Sequence, residues 1–271
     1  MKKKATPETV ENRGDDSLRY ATTPSLRHQP ALLSAFPRLV AAQSTRHGGV
    51  SSAPFASLNL GLRSGDEAGN VLENRRRFFG GLGIETDQVA LSHQVHGDRI
   101  LLAETPGNYE GYDALVTGRP GLFVAVLVAD CVPVLVYDAR QRAVAAIHAG
   151  WRGTVASIVF KTLQKMAEHF GTRSADCYAY VGTCIDECSF EVDRDVADAF
   201  EAAFKRWDEA KQKYFIHLKA ANAAQLRQFG ISDDRIEISP YSTVLHNQDY
   251  FSYRKEGSRS GRMMAVIGVR E

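Results

Sequence analysis

Residues 122–153 read LFVAVLVADCVPVLVYDARQRAVAAIHAGWRG, and this stretch decides the fold class. Leu122 to Val128 is an apolar run too short and too β-branched for a helix, so it reads as a buried strand. Val132 to Tyr137 and Ala143 to Ile147 are two more, close enough in sequence to pair as a hairpin. Thr154 to Phe170 then follows with helical spacing. Ile158, Val159, Leu163 and Met166 lie on its apolar side, and Gly171 stops it.

The same signals extend outward. Leu39 to Ala42 reads as a first strand, followed by a loop rich in Gly, Ser and Pro over Ser44 to Ser57. Glu67 to Phe79 has helical spacing, closed by Gly80-Gly81. Val89 to Ser92 and Arg99 to Ala103 are short strands flanking the turn His93-Gln94-Val95-His96-Gly97. Later come a strand over Cys177 to Val181, helices over Asp193 to Phe204 and Leu218 to Phe229, and closing strands over Arg235 to Ser239 and Met263 to Val269. Strands and helices mix without strict alternation. The expectation is an α/β protein, α+β-like, with a mixed sheet as its core and helices packed on it. Residues 1–36 have weak apolar periodicity and are punctuated by Pro24 and Pro30, so they read as a flexible amino-terminal extension. Residues 37–271 read as a single catalytic domain.

Composition narrows the class. The chain of 271 residues is 44% hydrophobic and 24% charged, with a formal net charge of +1, which is ordinary for a globular protein. Nothing in its charge pattern points to nucleic acid or a membrane surface as the main partner. Its longest apolar stretch is interrupted by Asp130, Cys131 and Pro133, so it does not read as a membrane span. The basic Met1-Lys2-Lys3-Lys4 is followed by no apolar segment, and the expected location is cytoplasmic. Cys131, Cys177, Cys184 and Cys188 are too few in a chain this long for a disulfide framework. The sequence carries no reading of oligomeric state.

Chemistry concentrates where apolar strands end. One strand runs into Ala129-Asp130-Cys131. The next runs into His148-Ala149-Gly150-Trp151-Arg152-Gly153, where two glycines allow close backbone approach. A helix expected to open at about Thr154, with Arg152 beside it, is suited to an anion such as phosphate. In the third element an extended backbone would turn Gln94 and His96 to one face and His93 to the other, so one histidine suffices for a site. Together these offer His, Cys and His from three strand ends. Three protein ligands with an open fourth position is the arrangement of catalytic zinc. The same residues also suit a cysteine nucleophile with a histidine base. Spacing alone leaves both open. Asp130 reads either as a partner orienting a ligand histidine, or as a base, or as a plain structural acceptor.

At this point the chain resembles the YfiH or laccase-domain family, whose members bear the names multicopper polyphenol oxidase and purine nucleoside phosphorylase. The resemblance runs from about Leu39 to Val269. It is carried by His47-Gly48-Gly49-Val50-Ser51, Pro54-Phe55-Ala56-Ser57-Leu58-Asn59-Leu60-Gly61 and Gln94-Val95-His96-Gly97. Asp113-Ala114-Leu115-Val116-Thr117, Ala129-Asp130-Cys131-Val132-Pro133 and His148-Ala149-Gly150-Trp151-Arg152-Gly153-Thr154 follow in order. Phe251-Ser252-Tyr253-Arg254 and Gly261-Arg262 complete the set. Ser242-Thr243 stands where the family usually has Cys-Thr, and Gly182-Thr183-Cys184 where it has Gly-Pro followed by Cys or Ala.

The resemblance implies metal ligation by His96, Cys131 and His148, with Asp130 joining them in the catalytic set. It implies substrate and phosphate contacts among Arg46, His47, Asn59, Gln94, Arg152, Arg254 and Arg262, which lie within or beside the motifs. The implied fold is a compact α/β fold related to bacterial toxin deamidases that use a Cys and a His. The implied cofactor is zinc, with copper as the alternative metal. The implied activity is phosphorolysis of adenosine, inosine and methylthioadenosine, with deamination of adenosine. Two alternatives stand beside it: amidase-type editing of a peptidoglycan precursor, and copper-dependent polyphenol oxidation. A multicopper oxidase needs a large histidine set, and this chain has eight histidines scattered along its length.

Overall fold

The computed structural model describes residues 25–271. The strands, in chain order, are β1 (Arg27–His28), β2 (Leu39–Ser44), β3 (Val89–His93), β4 (Ile100–Leu102), β5 (Gly107–Glu110), β6 (Ala114–Thr117), β7 (Phe123–Val128) and β8 (Val132–Asp138). They continue with β9 (Ala143–Ala149), β10 (Cys177–Val181), β11 (Glu191–Val192), β12 (Lys205–Asp208), β13 (Lys213–Ile216), β14 (Ile236–Ile238) and β15 (Met263–Val269). The helices are α1 (Ala31–Ser34), α2 (Ala68–Gly80), α3 (Trp151–Val155), α4 (Ile158–Phe170), α5 (Arg194–Ala197), α6 (Leu218–Phe229) and α7 (Tyr253–Glu256).

The expected mixed sheet is present as two. One runs β1-β2-β15-β7-β3-β5 and the other β14-β10-β8-β9-β6-β4, with β11-β13-β12 as a small third sheet. Both large sheets are mixed: β3 is parallel to β5 and β7, and β4 to β6, while β8 and β9 form the anticipated antiparallel hairpin. Alternation along each strand explains the layering. Val124 and Val126 of β7, Leu135 of β8, Ala146 of β9 and Ile267 of β15 fill the space between the two sheets. Phe123 and Ala125 face the other way, with Phe78 and Phe79 of α2. Val134, Val136, Ala145 and Ile147 face Ile158 and Leu163 of α4 and Leu226 of α6. The molecule is therefore layered helix, sheet, sheet, helices. Its strands are apolar on both faces because both faces are covered.

Four readings change. The extension assigned to 1–36 ends sooner than expected: β1 pairs Arg27 with Ser44 and His28 with Gln43, and Leu33 of α1 is fully buried between the sheets. These pieces are too short to show periodicity. Residues 1–24 of that assignment lie outside the described residues. The single helix expected over Thr154 to Phe170 is two, broken at Ser157, whose φ of 61° is left-handed. Gln225 of α6 bridges the break, accepting from the Val159 and Phe160 N–H groups at 3.1 and 3.3 Å and donating to the Thr154 carbonyl at 2.9 Å. The helix expected over Asp193 to Phe204 is only α5, a 3₁₀ turn and then β12. Finally, β3 and β4 lie in different sheets, so the turn expected between two strands at His93 to Gly97 is a crossover between sheets. Among the described residues no helix is long and apolar enough to cross a membrane.

Candidate metal centre

The chain passes from one large sheet to the other near the same end between β3 and β4 and between β7 and β8, as it does between β5 and β6. His96 lies on the first crossover and Cys131 on the second, and His148 is near the end of β9, paired with Pro133. One ligand atom from each lies within 4.8 Å of the other two. The His96 and His148 rings stand edge to face with centroids 4.8 Å apart. Among the described residues this is the one grouping of three His, Cys or carboxylate side chains close enough to hold a metal ion. His96 is exposed, Cys131 half-buried and His148 buried, so the centre opens on the His96 side.

Gly150 keeps the space between these groups clear. A Cβ there would stand 3.1 Å from the His96 ring, 3.2 Å from Cys131 Sγ and 3.8 Å from the His148 ring. A soft thiolate with two imidazoles is a donor set suited to zinc or copper(I). Donor chemistry and room thus both fit a single metal ion. The other six of the eight histidines lie elsewhere. His47 meets Asp249, His93 meets Glu110, and His217 caps α6. His28, placed by sequence in a loose terminus, packs its ring against Tyr180.

The residue that organises the centre is Asp113, which immediately precedes β6 and is wholly buried. Its carboxylate lies 2.8 Å from His148 Nδ1. It also receives the backbone N–H groups of Val95, His96 and Gly97 at 3.2, 2.9 and 2.8 Å. One carboxylate therefore orients the His148 ring and holds the loop that carries His96. His96 adopts a left-handed φ of 59°, uncommon for a residue with a Cβ, and the hydrogen bonds to Asp113 hold it there. The extended backbone expected at this turn is absent. Only one histidine joins the centre all the same, with His93 turned to Glu110 and Gln94 bonded to both the N–H and the carbonyl of Leu127 at 2.8 Å.

With Nδ1 taken by Asp113, the other nitrogen of His148 faces Cys131. Burial alone would push the Cys131 thiol up, but the charge and hydrogen bond of His148, joined by His96, bring it below the ordinary thiol range. Burial works against the His148 cation as well, and the Cys131 and Asp113 charges outweigh it, so His148 sits above the ordinary histidine range. Cys177 and Cys184 are pushed up to about 12, by burial first, and Cys188 is raised too, by its hydrogen bond to Asp186 first. Cys131 alone of the four is held below the ordinary thiol range.

Asp130 makes its contacts away from the histidines. Its φ of 82° turns the side chain to Thr243 Oγ1 at 2.5 Å, Ser252 Oγ at 2.8 Å and the Arg254 N–H at 2.6 Å. The carboxylate that orients a histidine of the candidate centre is thus Asp113, and sequence reasoning missed it. Its signal was the motif Asp113-Ala114-Leu115-Val116-Thr117, quoted above without a role. The remaining expected contacts divide. Asn59 is buried, donating to Ser64 Oγ and Asp66 and accepting from the Gly61 and Arg262 N–H groups. Arg46 is taken up by the Ala56 and Asn247 carbonyls and Glu256, over the Phe251 ring. The Arg254 guanidinium donates to the Ser189 and Glu191 carbonyls at 3.1 Å each. Arg262 is half-buried and uses one terminal nitrogen on the Ser260 and Gly261 carbonyls. Arg152 is exposed, lies over Trp151 at 4.4 Å and has no acceptor within bonding distance among the described residues. The helix beginning beside Arg152 is one five-residue piece, α3, which weakens the helix-end argument for an anion there.

Comparison with known proteins gives one family and a consistent set of relatives. The family model described as multi-copper polyphenol oxidoreductase laccase matches residues 40–270. The chain is 37% identical over 253 residues to a purine nucleoside phosphorylase of Bacteroides thetaiotaomicron, covering 88% of this chain and 94% of the relative. It is 40% identical over 228 residues to a purine nucleoside phosphorylase of Deinococcus radiodurans, covering 83% and 87%. The crystal structure of YlmD from Geobacillus stearothermophilus superposes with a TM-score of 0.82 at 32% identity, over 87% of this chain and 93% of that one.

Proposed function

We propose that this chain, which belongs to the multi-copper polyphenol oxidoreductase laccase family, is a zinc-dependent purine nucleoside phosphorylase with adenosine deaminase activity. Adenosine, inosine and methylthioadenosine are its substrates. The observation that carries the reading is the grouping of His96, Cys131 and His148 with Asp113 behind His148. The curated relatives, named purine nucleoside phosphorylases, support the reaction class.

Zinc, which these three residues would hold, would supply Lewis acidity. The chain's own groups do the rest. Asp113 keeps His148 turned toward Cys131 and keeps His96 in place. Cys131, whose thiol lies below the ordinary range, would act as a ligand rather than an attacking group, since a bound metal would share its charge. In phosphorolysis a phosphate oxygen bonds to ribose C1′ as the C1′–N bond breaks, and the departing purine takes the bond's electron pair and a proton. Arg152, two residues beyond Gly150, offers two parallel N–H groups to that phosphate. In deamination water replaces the C6 amino group and ammonia leaves, as in other zinc deaminases.

The experiment is product analysis of purified protein with adenosine, with and without phosphate. Free adenine and ribose 1-phosphate formed only with phosphate support phosphorolysis, and inosine formed in either case supports deamination. Absence of both products sinks the proposal. A second reading has one observation in its favour: Cys131, His148 and Asp113 also stand as nucleophile, base and orienting acid. That arrangement suits amide hydrolysis of a cell-wall precursor, and a released amino acid would identify it.

A further inference from the structure

We propose that Tyr253 is the wall on which the purine base of the substrate stacks, and that Asp130 is the residue that positions it. The inference rests on the nucleoside reading above and assigns a residue to base recognition.

Tyr253 opens α7 and is 53% exposed, although Phe251 and Ser252 just before it are fully buried. An exposed tyrosine is usually adaptable, but this one is mounted rigidly. Its two chain neighbours are both tied to the Asp130 carboxylate, through Ser252 Oγ at 2.8 Å and the Arg254 N–H at 2.6 Å. The short helix is closed on itself as well. Ser252 Oγ accepts from the Lys255 N–H at 3.3 Å, and the Ser252 N–H donates to Glu256 Oε2 at 3.0 Å. Asp130 directly precedes Cys131, so the clamp fixes the backbone that carries the ring relative to the candidate metal centre.

Arg262 gives a second, independent placement. Its guanidinium lies 5.7 Å from the centroid of the Tyr253 ring. It is also close enough to Asp130 and Cys131 for both charges to act on it. The ring is therefore backed by a cation beside the centre and keeps half its surface open. A large aromatic held in that state is suited to a flat ligand. Stacking on a purine depends little on the substituent at C6, since every purine presents a π face. Such a wall would hold adenosine and inosine alike. Asp130, with its carboxylate filled by three donors, is suited to holding the wall rather than to moving a proton.

The test uses zinc-loaded full-length protein, with inosine binding measured by calorimetry without phosphate and phosphorolysis kinetics measured in parallel. Tyr253→Ala is expected to weaken inosine binding and raise the nucleoside KM by roughly tenfold, with kcat and zinc content nearly unchanged, while Tyr253→Phe stays near wild type. Asp130→Asn keeps one acceptor oxygen and loses the other, so it should shift the same KM in the same direction with zinc retained. The double variant Asp130→Asn with Tyr253→Ala should be no worse than Tyr253→Ala alone. An unchanged inosine Kd in Tyr253→Ala overturns the stacking assignment. Additive effects in the double variant, or loss of zinc from Asp130→Asn, overturn the positioning role. Wild-type protein that cleaves no nucleoside contradicts the proposed function itself, an outcome distinct from any of these.

Discussion

Asp113 Oδ1 lies 2.8 Å from His148 Nδ1 inside a wholly buried pocket, and the same carboxylate carries the backbone of the His96 loop. Two histidines of the candidate centre that lie 52 residues apart in the chain thus share one support. Asp113→Asn keeps the shape but can no longer accept from all four N–H donors. Zinc affinity is predicted to fall about ten- to hundredfold, as for other carboxylates behind a ligand histidine. Competition with a chromogenic chelator measures it, and an unchanged affinity would remove Asp113 from the account.

The state of Cys131 gives a second prediction. If it is a ligand, an alkylating reagent should leave it unmodified in zinc-loaded protein and label it once a chelator has removed the metal. Peptide mapping identifies the labelled residue, and the exposed Cys188 serves as an internal control that reacts in both samples. Fast stoichiometric labelling of Cys131 in fully loaded protein, with substrate trapped on its sulfur, would favour the cysteine-nucleophile reading.

The arginines should separate in kinetics. Arg152 has no acceptor among the described residues, whereas the Arg254 guanidinium holds the backbone at Ser189 and Glu191. Arg152→Lys is predicted to raise the phosphate KM several-fold with zinc content unchanged, because an ammonium cannot copy the paired N–H geometry. Arg254→Lys should act mainly through loosening of residues 189–191, seen as faster proteolysis there. Equal phosphate dependence in wild type and Arg152→Lys would end the assignment.

The grouping of His96, Cys131 and His148 was legible in the sequence because apolar strands end abruptly in Cys131 and His148, where α/β proteins place sites. The periodic elements were legible for a similar reason: Leu218–Phe229 and Met263–Val269 match their expected spans. Asp113 was not, because the strand it introduces, Ala114–Thr117, is only four residues long and its partner histidine is far along the chain. The left-handed Ser157 break was equally hidden, since Gln225 supplies the missing hydrogen bonds from another helix. Asn59 shows the opposite error. It sits in a recognisable motif, yet its bonds are internal to the fold.

That motif's structural part is testable through Asn74 of α2, which is buried and bonds the Val50 N–H, Ser51 Oγ and the Ser57 and Asn59 carbonyls at 2.8–3.1 Å. Asn74→Ala leaves the Val50 N–H and the Asn59 carbonyl without a partner, while Ser51 Oγ keeps Asp66 and the Ser57 carbonyl keeps the Ser51 N–H, and is predicted to destabilise the protein by about 2–4 kcal/mol. Urea unfolding gives the value, and zinc content per folded chain should stay as in wild type. A loss under about 0.5 kcal/mol, on the order of an ordinary surface change, would mean that the loop from Val50 to Asn59 relaxes onto water.

The most direct test of the central claim is elemental analysis of purified wild-type and Cys131→Ala protein, with phosphorolysis assayed on the same samples. The account predicts about one zinc per chain in the wild type. It predicts none in Cys131→Ala, which should keep its fold by circular dichroism and lose nucleoside cleavage together with the metal. Several coppers and no zinc in the wild type, or a Cys131→Ala protein that keeps its zinc, would contradict it.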